Sequence, residues 1–193
     1  MKKKITLVIA AILVCVMAFA MTACGGGKGD NGGNGGNGGG KGTSLNVGDF
    51  TLSVPSGWKN FESTDIFEKD ENGNSKVRTD QVYIVKGGDS EFDVFTKPCV
   101  TVTYYADQTA ESQKEPLSWF VDEITELEYT ANGTTCVAFE TKTESIIEEG
   151  KMDTAYYIFL PVGEGSAQFT FSGDELKLDD KDVKAMVESF TLN

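Results

Sequence analysis

Apolar and polar residues alternate strictly at the start of the folded part: Phe50, Leu52 and Val54 are interleaved with Thr51 and Ser53. That is the period of a half-buried strand, and Pro55-Ser56-Gly57 predicts the turn that ends it. The same reading predicts strands over 81–86, 99–106, 134–142, 153–160 and 167–172. Asn72-Gly73, Gly87-Gly88, Asn132-Gly133 and Gly163-Glu164-Gly165 punctuate them as turns, so most neighbours read as antiparallel hairpins.

Two stretches carry a helical period instead. Pro116 suits a first helical position, and Leu117, Phe120, Val121, Ile124 and Leu127 then share one face. Asp179 or Asp180 caps a second helix, with Val183, Met186, Val187 and Phe190 at i, i+3, i+4 and i+7. One helix inside a strand series and one at its close predict an α+β fold, an antiparallel β-sheet with packed helices.

The first residues change the picture from fold to address. A basic head, Lys2 to Lys4, precedes fifteen apolar residues from Leu7 to Met21. These are the two leading parts of a secretory signal, shorter than the roughly 20 residues of a membrane-spanning helix. Met21-Thr22-Ala23-Cys24 resembles the bacterial lipobox, which implies cleavage after Ala23 and a diacylglycerol thioether on Cys24. Two acyl chains, at about 0.8 kcal/mol per buried CH₂, give stable anchoring. Cys15 does not fit that role, because branched Val14 precedes it in mid-run. From Gly25 to Gly42, twelve of eighteen residues are glycine, a composition expected to stay a flexible coil with a root-mean-square reach of about 25 Å and about 60 Å when straight. The expected organisation is a lipoprotein signal peptide at 1–23, a lipidated cysteine and linker at 24–43, and one α+β domain at 44–193. It places the domain on the extracytoplasmic face of the cell membrane, held by lipid.

Charge and composition then exclude several classes. Loss of Lys2, Lys3 and Lys4 takes the formal charge of −13 to −16, which repels nucleic acid and anionic head groups. The chain has no histidine, so Ser-His and Cys-His catalysis and His-ligated metals are excluded. No spacing asks for a metal or another cofactor, and the glycine tract lacks the strand and helix that flank a phosphate-cradling loop.

The opening Phe50–Trp58 stretch, the middle helix, the late pair of strands Thr154–Pro161 and Ala167–Gly173, and the closing Val183–Leu192 stretch together resemble the PsbP-like family, which includes DcrB-like bacterial lipoproteins. The resemblance implies an α/β/α sandwich and a non-catalytic accessory role toward an envelope or extracellular protein, with no catalytic residue carried over. A small-ligand-binding lipoprotein and a hydrolase using carboxylates such as Glu140 and Asp153 are the other readings.

Individual residues sharpen this only modestly. Cys99 and Cys136 form an even pair in an exported domain, open to a disulfide or to two free buried thiols. Ser56-Gly57-Trp58-Lys59 matches the S-x-x-K of penicillin-recognising enzymes, but the companion S-D-N and K-T-G elements are absent, so a turn explains it. Asp70-Glu71-Asn72-Gly73-Asn74 is oxygen-rich, yet Ser75 and Gln81 stand where a calcium loop needs glycine and glutamate. Trp119 falls off the apolar face of the middle helix and is the candidate partner contact.

Overall fold

The computed structural model describes residues 42–146 and 148–193. The stretches expected to be signal peptide and linker, Cys24 among them, lie outside the described residues except for positions 42 and 43. Among the described residues, ten strands form two antiparallel sheets accompanied by two short α-helices, so the class is α+β with strands dominant. Strands β1 (Thr43–Asn46), β2 (Phe50–Val54) and β10 (Thr191–Leu192) form a small sheet in the order β1-β2-β10. The large sheet holds β3 (Trp58–Lys69), β4 (Ser75–Lys86), β5 (Cys99–Tyr105), β6 (Glu123–Ala131), β7 (Thr134–Glu144), β8 (Met152–Val162) and β9 (Gly165–Ser172). Its order is β3-β4-β5-β9-β8-β7-β6.

The core lies between the inner face of the large sheet and a cover made by the small sheet and helix α2 (Lys181–Ser189). Helix α2 starts where expected because Asp180 accepts from the Asp182 and Val183 amides, and it buries Val183, Met186 and Val187. Phe190, just past the helix, stacks on Phe50 (4.9 Å between ring centroids) and meets Phe169 edge-on (6.0 Å). Buried Trp58 ties the first strand turn to α2 by donating from Nε1 to Asp182 Oδ2 (3.0 Å).

The middle helix is much shorter than its sequence pattern predicts. Helix α1 covers only Lys114–Ser118, after a 3₁₀ turn at Ala110–Gln113, and from Glu123 the chain is strand. The reason is the Asn132-Gly133 turn: both residues have positive φ (49° and 79°), the geometry of a tight hairpin, which needs a strand on each side. β6 is that second strand, paired with β7 from Glu123↔Lys142 to Ala131↔Thr134. Ile124 and Leu127 therefore point to opposite faces, not along one helical stripe.

Candidate functional site

Strand register brings together two features that lie scattered in the sequence. The first is one end of the large sheet, called here the near end. β4 ends and β5 begins there (Val85↔Cys99), as do the end of β9 and the start of β8 (Ser172↔Ala155) and the β7–β8 turn beyond Glu144↔Met152. Thr43 also reaches this end, because it pairs with Val54 just before the turn into Trp58. Four aromatic residues are displayed there: Phe92 (65% exposed), Phe95 (55%), Trp119 (67%) and Phe120 (61%). Ile146, on the turn between β7 and β8, and Met152, the first residue of β8, are also exposed.

Local chemistry holds these aromatics outward. Phe92 and Phe95 sit edge to face (6.1 Å) on the 3₁₀ turn Glu91–Phe95, which buries none of its residues. Asp93 pins that turn by accepting from the Asp89 (2.6 Å) and Ser90 (3.0 Å) amides, with Lys97 Nζ at 3.1 Å. Those bonds, the backbone ones foremost, hold its carboxyl down at about 2. On α1, Leu117 faces the buried pair Phe139 and Phe159, which leaves Trp119 and Phe120 at the open end of the helix. Asp122 then starts β6 by donating its amide to Lys142 O and accepting from the Glu144 amide.

The second feature is the outer face of the large sheet, opposite the core. One row across five strands reads Gln81, Thr103, Gln168, Phe159, Val137; the next reads Tyr83, Thr101, Thr170, Tyr157, Phe139. No position in either row is charged, although 24% of the chain is. The 3₁₀ turn at Ala110–Gln113 and α1 cover the Phe139–Phe159 side, and Gly88 brings the chain before Phe92 against Phe61 and Val85 on the other. Between these covers the floor is organised: Ser63 Oγ donates to Gln81 Oε1 (2.6 Å), Gln81 Nε2 to Thr103 Oγ1 (2.8 Å), and Gln168 Nε2 to Thr170 Oγ1 (2.6 Å). Burial pushes the Tyr105 and Tyr157 phenols up.

The remaining sequence candidates fall elsewhere. Cys99 and Cys136 are both free, which corrects the disulfide reading. Strand order is the cause: β9 and β8 separate β5 from β7, and Cys136 is level with Tyr104, five residues along from Cys99 and on the opposite face. Strand spacings put the two roughly 20 Å apart. Burial pushes the Cys99 thiol up to about 11 and raises that of Cys136. Glu140 accepts from Tyr156 Oη (3.0 Å) on the inner face, while Asp153 lies on the outer side of β8, so they do not converge. Lys59 pairs with Asp89 (3.0 Å) in place of Ser56, and Asp70 closes its turn by accepting from the Asn72 and Asn74 amides. Both motifs are thus structural turns. Shallow depressions of about 360 Å³, beside Thr43, Pro55 and Trp58, and about 300 Å³, along Asp65, Lys76 and Arg78, are open at the surface.

No protein-family model and no curated protein matches this sequence. A crystal structure from Bacteroides thetaiotaomicron VPI-5482 is similar at 12% identity, with a TM-score of 0.48, over 79% of this chain and 48% of its own length. The chain therefore spans about half of that protein.

Proposed function

We propose that this protein is an extracytoplasmic lipoprotein, held to the cell membrane at Cys24, whose domain binds an envelope or extracellular protein without catalysis. The observation that carries the reading is the display of Phe92, Phe95, Trp119 and Phe120 at the end of the domain that Thr43 also reaches. Solvent-facing aromatics are costly to leave bare and are the residues that anchor protein interfaces. Few residues separate Cys24 from Thr43 in the sequence, so an anchor at Cys24 favours a placement with that end toward the membrane, where an envelope partner is met. The PsbP-like and DcrB-like reading belongs with this proposal, and the placement of α2 on one face of the sheet and α1 on the other supports its sandwich. A small-ligand role draws support from the uncharged outer face.

The test is cross-linking in living cells, affinity capture of the tagged chain, and Cys24→Ala as the variant that removes the anchor. One envelope protein enriched by the wild type alone supports the proposal. Equal recovery by Cys24→Ala, or nothing above background, overturns it.

A further inference from the structure

The geometry points to a binding site for a neutral polysaccharide on the outer face of the large sheet, centred on Tyr83, Thr101, Gln168, Thr170 and Tyr157. The open face of an antiparallel sheet is normally polar toward solvent, with charges included. Here no residue of two adjacent rows across five strands is charged, in a chain of net charge −13; the charges of this face lie at its margins, in Lys59 on β3, Glu126 and Glu128 on β6, Asp153 at the start of β8 and Lys114, whose Nζ sits over the Phe139 ring. Charge complementarity selects the occupant. An anionic polymer is repelled by the acidic domain, and a cation finds no carboxylate on this floor. A charged protein surface seated here buries its ions without partners, at a desolvation cost that nothing on the face offsets.

A neutral polyol meets none of these penalties. Its hydroxyls both donate and accept, which matches threonine hydroxyls and glutamine amides. The apolar C–H faces of sugar rings suit tyrosine rings, whose faces carry the negative part of the ring quadrupole. Tyr83 and Tyr157 lie three strand spacings apart in one row, roughly 14 Å, with Thr101 and Thr170 between them. The Tyr83, Tyr105 and Tyr157 hydroxyls make no hydrogen bond to other described residues, so they are available to a ligand. The Gln81–Thr103 and Gln168–Thr170 bonds already fix the floor side chains, so little rotamer freedom is lost on binding. Tyr83 and Tyr157, spaced along one row, suit successive rings of a chain of sugars and not one monosaccharide.

The experiment is affinity electrophoresis of the detergent-solubilised full-length chain in native gels containing hydroxyethyl cellulose, soluble starch or galactomannan, with polygalacturonate as the anionic comparison. At least one neutral polymer is expected to retard the wild type, and polygalacturonate is not. Tyr83→Phe and Tyr157→Phe, which remove only hydroxyls that bond no other described residue, are each expected to weaken the retardation at least tenfold at an unchanged melting temperature. Absence of retardation by all three neutral polymers overturns the proposal, as does equal retardation by polygalacturonate or undiminished binding by both variants. This site does not rest on the partner-protein reading. The gel contains polymer alone and the capture experiment reads a protein, so either result can fail while the other stands.

Discussion

Replacing Trp119 with alanine separates a binding residue from a structural one. Trp119 is 67% exposed, so about a third of its surface is packed. A fully buried tryptophan hides about 200 Å², and a third of that is about 70 Å². At about 25 cal/mol per Å² the packed part stabilises by about 1.7 kcal/mol, an upper value because the unfolded chain is itself partly collapsed. For a domain of this size the melting temperature should then fall by roughly 3–7 °C. At a partner interface the same truncation removes an anchor worth about 2 kcal/mol or more, which is roughly 30-fold in affinity. Differential scanning fluorimetry and the yield of the captured cross-linked complex read the two effects separately. A fall beyond about 10 °C with capture unchanged would refute the reasoning, since Trp119 would then be part of the core.

Three further outcomes follow from the packing and the electrostatics. Phe190→Ala, which removes the ring between Phe50 and Phe169, should cost about 3–5 kcal/mol in a urea titration; under about 1 kcal/mol would place the core elsewhere. Asp93 is held at about 2 against an ordinary 3.8, so its support of the 3₁₀ turn is present above about pH 4 and lost as pH falls toward 2. Protection of the Asp89 and Ser90 amides from hydrogen exchange, taken relative to the intrinsic rate at each pH, should fall across that window in the wild type and show no such step in Asp93→Asn. Unreduced, denatured protein should alkylate at both Cys99 and Cys136, whereas in the folded protein Cys99 should react slowly at pH 8 because its thiol is pushed up to about 11.

The elements most legible in the sequence were those whose pattern is set by burial. β2 shows strict alternation because one side packs on the core, and α2 shows both its cap and its apolar stripe. β3 escaped notice because it is an edge strand with most of its residues exposed, so Trp58–Lys69 has no clean period. The 116–127 stretch misled because Leu117, Phe120, Val121, Ile124 and Leu127 fit a helix as well as they fit a short helix followed by a strand. The Asn132-Gly133 turn was the stronger signal, since a tight hairpin demands a strand before it. The cysteine pair was illegible because the order β5-β9-β8-β7 is not chain order. The outer face was hidden for the same reason: Tyr83, Thr101, Thr170 and Tyr157 become one row only when the register is known. The aromatic end was half legible, in Trp119 but not in Phe92 and Phe95, whose turn depends on Asp93 and not on periodicity.

The most direct test of the account is a photo-cross-linking scan in living cells, with a photoreactive residue placed in turn at Phe92, Phe120 and Phe67. Phe67 is 89% exposed on the β3–β4 hairpin and pairs with no other strand, so it serves as the comparison away from the near end. The account predicts that Phe92 and Phe120 trap the same envelope protein and that Phe67 traps none. Trapping at Phe67 with none at the near end would contradict it.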